Sequence, residues 1–361
     1  MTIPNLEIFA LCSRLIPLGL VLALSACQTG SPDSSSVDSG GKLAEPVYLT
    51  GTGASFPVFL YQRWIQTYTK DKPNLIINYQ PNGSAAGVRQ FMGGTVDFAG
   101  SDVAITDEEM AQVEAGVILI PATAGSVAIA YNLPDVPSGL KLSREVYPAI
   151  FLGQIQRWND PQIAALNPDV VLPDLPILSI HRSDGSGTTA AFTRHLSAIS
   201  EDWRDRVGSG VNVSWPVGTG VKSNSGVSAQ IQQGVGTIGY LEVSYATQLG
   251  LSVAALENQA GQFQTPTLAA SEAGVADIDL PDNLRGFNPD PASPEAYPIV
   301  TYSWLLVYEN YGDDTAKAQE LEAFLDWSLT NGQALSAELD YIPLPEAAVE
   351  KARTIIADIA D

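Results

Sequence analysis

The chain has 361 residues, with 40 Asp and Glu against 18 Lys and Arg, and a formal net charge of −22 at pH 7. So acidic a chain is a poor partner for nucleic acid or for an anionic lipid surface. Its cysteines, Cys12 and Cys27, both lie near the N-terminus, and its histidines are His181 and His195; thiolate catalysis and Cys-ligated zinc are excluded from the body, and neither a histidine-rich metal site nor a cofactor is expected.

Segment 1–26 carries Arg14 and then the apolar run Leu15-Ile16-Pro17-Leu18-Gly19-Leu20-Val21-Leu22-Ala23-Leu24. A membrane span needs about 20 apolar residues, so this shorter run fits the h-region of a signal peptide. It ends in Leu24-Ser25-Ala26-Cys27, the pattern of a bacterial lipobox with Cys27 as the acylated first residue of the mature chain. The alternative is an ordinary signal peptide that leaves Cys27 a plain thiol. Residues 27–45, rich in Ser, Gly and Asp, read as a flexible tether. Anchor, tether and soluble body predict a protein held at the periplasmic, outer face of the cytoplasmic membrane, with its body split over two lobes.

Beyond the tether, short apolar strands alternate with helical segments, the pattern of α/β layers. Strands are predicted at 47–50, 75–79, 96–99, 117–121, 127–131, 177–182, 238–242 and 299–308. Helices are predicted at 57–69, 86–92, 107–115, 144–152, 162–166, 188–199, 227–233, 315–330 and 346–359. Residues 258–298, rich in Pro, Ala and Asp, read as an irregular surface excursion.

Three strand-to-helix turns share one chemistry. Gly51-Thr52-Gly53-Ala54-Ser55-Phe56-Pro57 follows the first strand, and Pro57 suits a first helical turn, leaving Ser55 and the Phe56 N–H near the helix start. Pro81-Asn82-Gly83-Ser84-Ala85-Ala86-Gly87 follows the second, with Ser84 where a cap would sit. Arg182-Ser183-Asp184-Gly185-Ser186-Gly187-Thr188-Thr189 closes the strand at 177–182 and opens the next helix. Each serine alone fits a plain N-cap bonding its own helix. Together, helix N-terminal N–H groups, hydroxyls and an arginine fork suit a tetrahedral oxyanion such as phosphate, and open α/β sheets bind ligands at the carboxyl ends of their strands.

Asp102, just beyond the strand at 96–99, reads as a cap or turn residue, or as the acceptor for a ligand that still carries a proton. Sulfate brings no such proton, so in the second case Asp102 selects against it. Asp184 is placed to pair with Arg182 or to stabilise its own turn. An enzyme reading makes Ser186 a nucleophile with His181 or His195 as base, but Asp184 occupies the first glycine position of the G-x-S-x-G elbow.

The first loop, Tyr79-Gln80-Pro81-Asn82-Gly83-Ser84, Thr95-Val96-Asp97-Phe98 with Ser101-Asp102, Ile150-Phe151-Leu152-Gly153 with Arg157-Trp158, Leu166-Asn167-Pro168, the Arg182 turn, Trp215-Pro216, Gly236 to Gly239 and Phe324-Leu325-Asp326-Trp327 follow in that order. In this arrangement the chain resembles the periplasmic phosphate-binding proteins (PstS family) of ABC-type phosphate importers, over nearly the whole mature region. The resemblance implies a two-lobed α/β periplasmic-binding-protein fold of type II, each lobe a mixed sheet flanked by helices around a ligand cleft, with 46–128 and 297–361 as one lobe and 129–296 as the other. It implies phosphate contacts from Ser55, the Phe56 N–H, Ser84, Asp102, Arg182, Ser186, the Gly187 N–H and Thr188, with Asp184 paired to the arginine and no catalytic residue. A monomer that hands inorganic phosphate to membrane permease subunits is the expected role. A receptor for sulfate or molybdate, or a serine-type hydrolase or phosphatase, are the alternatives. The chain departs from the family at Ser55, where Thr is frequent and the hydroxyl is kept, and at Ala85-Ala86, where Ser or Gly is frequent.

Overall fold

A computed structural model describes residues 45–357 and 359; the expected signal peptide, the acylation at Cys27 and tether residues 27–44 lie outside the described residues. The chain opens as β–α–β units: β1 (Val47–Gly53), α1 (Val58–Thr69), β2 (Leu75–Gln80), α2 (Ser84–Met92), β3 (Phe98–Ser101), α3 (Asp107–Met110) and β4 (Ile118–Tyr131). A middle stretch follows with β5 (Lys141–Leu142), α4 (Val146–Phe151), α5 (Pro161–Leu166), β6 (Leu178–Arg182), α6 (Gly187–Ile199), α7 (Glu201–Arg206), β7 (Thr219–Val221), α8 (Ser223–Gln233), β8 (Thr237–Glu242) and α9 (Val243–Leu249). Next come β9 (Ser252–Val253), β10 (Ala255–Glu257), β11 (Phe263–Gln264) and α10 (Leu268–Ala276), before the chain returns through β12 (Val300–Val307), α11 (Thr315–Leu329) and α12 (Glu346–Ile356).

The sheet runs in the order β2-β1-β3-β12-β4-β8-β6-β7, with β9 also on β4. β1, β2 and β3 are mutually parallel, and so are β6, β7 and β8. Between these groups β4 serves both: residues 118–126 pair with β12, and residues 127–131 pair with β8. The two-lobed α/β architecture follows from this shared strand, each half carrying helices on its own parallel group.

β4 corrects the sequence reading, which placed two strands at 117–121 and 127–131. Proline removes a ladder donor, and Pro121 ends the first of those two segments. In the structure Pro121 faces Trp304 while Thr123 faces Ser303, so one residue bulges out of the ladder and the strand continues through all 14 positions, every one buried. The predicted surface excursion is corrected too. Within residues 258–298, α10 buries Ala270, Ser271, Gly274 and Val275, and Leu284 and Tyr297 belong to the main core. Four buried indoles in that core each donate to a carbonyl: Trp64 to Gly332, Trp158 to Gly236, Trp203 to Gly208 and Trp304 to Leu284. Burying an indole N–H without an acceptor is costly, so these bonds make the large rings tolerable inside.

Candidate anion-binding site

The parallel strands on each side end where the halves meet. β1, β2 and β3 deliver Ser55, Ser84 and Asp102, and β6 and β7 deliver the Arg182 turn and the first turn of α8. Ser55, Phe56, Ser84, Asp102, Arg182, Ser186, Gly187 and Thr188 are all buried, and hydrogen bonds join Ser84 to Asp102 and Gly187, and Arg182 to Thr188. Backbone N–H groups bridge the halves: the Ala85 N–H donates to the Gly185 carbonyl at 3.0 Å, and the Gly187 N–H to Ser84 Oγ at 3.1 Å.

Ser84 is not the cap of its own helix. The N-cap of α2 is Gly83, at φ +94°, where an added Cβ would lie 2.6 Å from Asp184 Oδ2 across the cleft. Freed from capping, Ser84 Oγ accepts the Asp102 N–H at 3.3 Å as well as that of Gly187. Gly187 must itself be glycine, since a Cβ there would stand 2.5 Å from Asp102 Cβ and 2.7 Å from Ser84 Oγ. Ser186, by contrast, does cap its helix, its Oγ accepting the Thr189 N–H at 3.2 Å.

Asp102 Oδ1 accepts from Ser303 Oγ at 2.8 Å, while Oδ2 faces Ser84. Burial pushes this carboxyl up to about 7, against the lowering effects of the Ser303 bond, the Arg182 charge and Ser84. The site thus holds one acceptor group that trades its proton near neutral pH. Arg182 is clamped by Asp184 in a two-pronged pair, Nε to Oδ1 at 2.8 Å and Nη2 to Oδ2 at 2.5 Å, and its Nη1 donates to Thr188 Oγ1 at 3.4 Å. Burial would raise Asp184, but the guanidinium bonds and the Ser223 N–H outweigh it and hold the carboxylate below its usual range.

Neither histidine bonds to Ser186. His195 is buried, with Nδ1 on the Pro289 carbonyl and Nε2 on the Tyr147 hydroxyl, both at 2.7 Å, and burial lowers it to about 4. His181 stacks on Trp215 and lies near the Arg182 carbonyl.

Sequence reasoning missed three contributors. Ser303 arrives from β12, some 200 residues from Asp102, with no local pattern to announce it. Tyr245 on α9 donates to the Ser55 carbonyl at 2.7 Å. Asn224, in the first turn of α8, donates through its N–H and Nδ2 to Ser55 Oγ at 3.2 and 3.1 Å. Here a signal existed: Lys222-Ser223-Asn224-Ser225-Gly226 has the same hydroxyl- and glycine-rich turn chemistry as the other loops, but only a three-residue strand precedes it.

A family model described as a PBP superfamily domain matches residues 33–331. The chain is 40% identical over 300 residues to the phosphate-binding protein PstS of Haemophilus influenzae, covering 82% of this chain and 89% of that protein. It is 39% identical over 307 residues to the phosphate-binding protein PstS of Pasteurella multocida, covering 84% and 88%. The crystal structure of a phosphate-binding protein from Stenotrophomonas maltophilia has the same fold, with a TM-score of 0.63 at 20% identity over 85% of this chain and 93% of that one.

Proposed function

Because this chain belongs to the PBP superfamily, and within it to the PstS phosphate-binding proteins, we propose that it captures inorganic phosphate and delivers it to the membrane permease of an ABC-type importer. One observation carries this reading: around a single clamped guanidinium, the halves converge hydroxyls and helix N-terminal N–H groups together with one carboxyl, Asp102, that titrates near neutrality. Such a set suits an oxyanion rich in acceptors that still bears a proton.

In this function Arg182 supplies charge; Ser55, Ser84, Ser186 and Thr188 supply hydroxyl donors; and the Phe56 and Gly187 N–H groups supply backbone donors. Asp102 takes the ligand's proton, and Asp184 aligns the arginine. The Gly187 N–H and Ser84 Oγ, which meet each other across the cleft, turn to the ligand as it enters. Residues 46–128 with 297–361, and 129–296, act as the two lobes; the change of partner along β4 between Ser126 and Val127 supports that division. The body works as a monomer at the outer face of the cytoplasmic membrane, tethered through acylated Cys27. Among the described residues no helix is long and apolar enough to cross a membrane. The hydrogen bonds of His181 and His195 favour binding over turnover, since neither serves Ser186 as a base.

Calorimetry against phosphate and sulfate, paired with a phosphatase assay, tests the reading. Tight phosphate binding, no measurable sulfate binding and no turnover are expected. Sulfate binding as tight as phosphate would overturn the role given to Asp102, and turnover abolished by Ser186→Ala would overturn the binding-protein assignment.

A further inference from the structure

Resting on the phosphate-binding reading, we propose that Asn224 is a positioning residue that makes the Ser55 and Thr188 hydroxyls obligate donors to the ligand. Asn224 is fully buried, on the opposite lobe from Ser55. Its Oδ1 accepts the Glu242 N–H at 3.2 Å, which only an oxygen can do, so its Nδ2 is fixed toward the two hydroxyls. Nδ2 lies 3.1 Å from Ser55 Oγ and 3.3 Å from Thr188 Oγ1.

A hydroxyl has two lone pairs and one proton. Ser55 Oγ receives both the Asn224 N–H and Nδ2, and Thr188 Oγ1 receives Nδ2 and Arg182 Nη1. With its acceptor capacity filled, each oxygen has only its proton to offer, and among the described residues no hydrogen bond takes either proton away. Both hydroxyls are thereby committed to an acceptor-rich oxyanion, Thr188 by partners in its own lobe and Ser55 by a partner in the other. Asn224 touches Ser55 only when the lobes are together, so the commitment is made by closure itself. Tyr245 reinforces it from the same lobe: its hydroxyl binds the Ser55 carbonyl, which shares a peptide group with the Phe56 N–H.

The test is phosphate calorimetry on the full chain with Asn224→Ala and Asn224→Asp, alone and in a Ser55→Ala/Thr188→Val background. Asn224→Ala should weaken binding roughly tenfold or more in the native background, but less than about threefold once both hydroxyls are gone. Asn224→Asp, an acceptor facing both hydroxyls, should weaken it by about 100-fold or more at pH 8, and its deficit against the parent should shrink as the new carboxyl protonates at lower pH. Should the alanine variant fail to fold, Asn224→Ser keeps one donor and takes its place in the cycle. Equal losses in both backgrounds, or an Asn224→Asp variant that binds like the parent, overturn the positioning role while leaving phosphate binding intact. A parent chain that does not bind phosphate overturns the underlying reading and this inference with it.

Discussion

Replacing Asp102 by Asn isolates the proton held in the site. The folded chain holds that proton up to about pH 7, whereas a free aspartate gives it up near 3.8. At 1.36 kcal/mol per pH unit, this gap corresponds to about 4 kcal/mol. Because the folded state binds the proton more tightly than the unfolded one, the parent loses stability as pH rises from about 4 to about 7 and levels off above. Asn has no such proton. It keeps an acceptor for Ser303 Oγ but turns a donor toward Ser84, a fixed cost of about 1 kcal/mol. Urea unfolding of the phosphate-free proteins across pH 3.5 to 8.5 should therefore show the variant slightly less stable at the acid end, with the difference swinging in its favour by about 4 kcal/mol by pH 8. A difference that stays flat across that range would show that Asp102 ionises like an exposed carboxylate, and the burial argument would be refuted.

Arg182→Ala leaves Asp184 partly buried without its partner and facing the anion, so phosphate affinity should fall by about 2–5 kcal/mol in calorimetry; a loss of only a few-fold would remove Arg182 from the site. Gly187→Ala places a methyl 2.5 Å from Asp102 Cβ and should weaken binding by about 1–3 kcal/mol through hindered closure, with the circular dichroism spectrum unchanged. His195, lowered by burial to about 4, stays neutral when folded, so its contribution is whole above about pH 6.5 and drains away toward pH 4. His195→Gln should relieve about 3 kcal/mol of that acid sensitivity, read as the change in the stability difference between pH 7 and pH 4.

The layered α/β organisation and the three turns that meet between the halves were legible because each is a local pattern: an apolar run, a glycine-rich turn, then helical spacing. Ser55, Ser84, Asp102 and the Arg182 turn could be named for that reason. Their partners could not, because Ser303, Tyr245 and Asn224 reach the site by tertiary packing from elements 36 to 201 residues from the groups they hold. Ser84 shows the same limit from the other side. Its position looked like a cap, yet the glycine before it takes the cap geometry and releases the hydroxyl to the cleft. The gap left between the strands at 117–121 and 127–131 has a related cause: a bulge, invisible in one strand's sequence, carries β4 past Pro121. Asp97, inside a resemblance motif, proves structural, accepting the Thr50 N–H at 2.7 Å and pairing with Lys317 at 2.9 Å.

The clamp of Asp184 on Arg182 has a kinetic consequence. The guanidinium that would attract an arriving anion already has its charge cancelled within the same turn, and the chain around it carries −22. Long-range electrostatics therefore slows capture, and added salt, by screening that repulsion, quickens it. Any tight hold on an anion at this clamped guanidinium therefore rests on slow escape and not on fast capture.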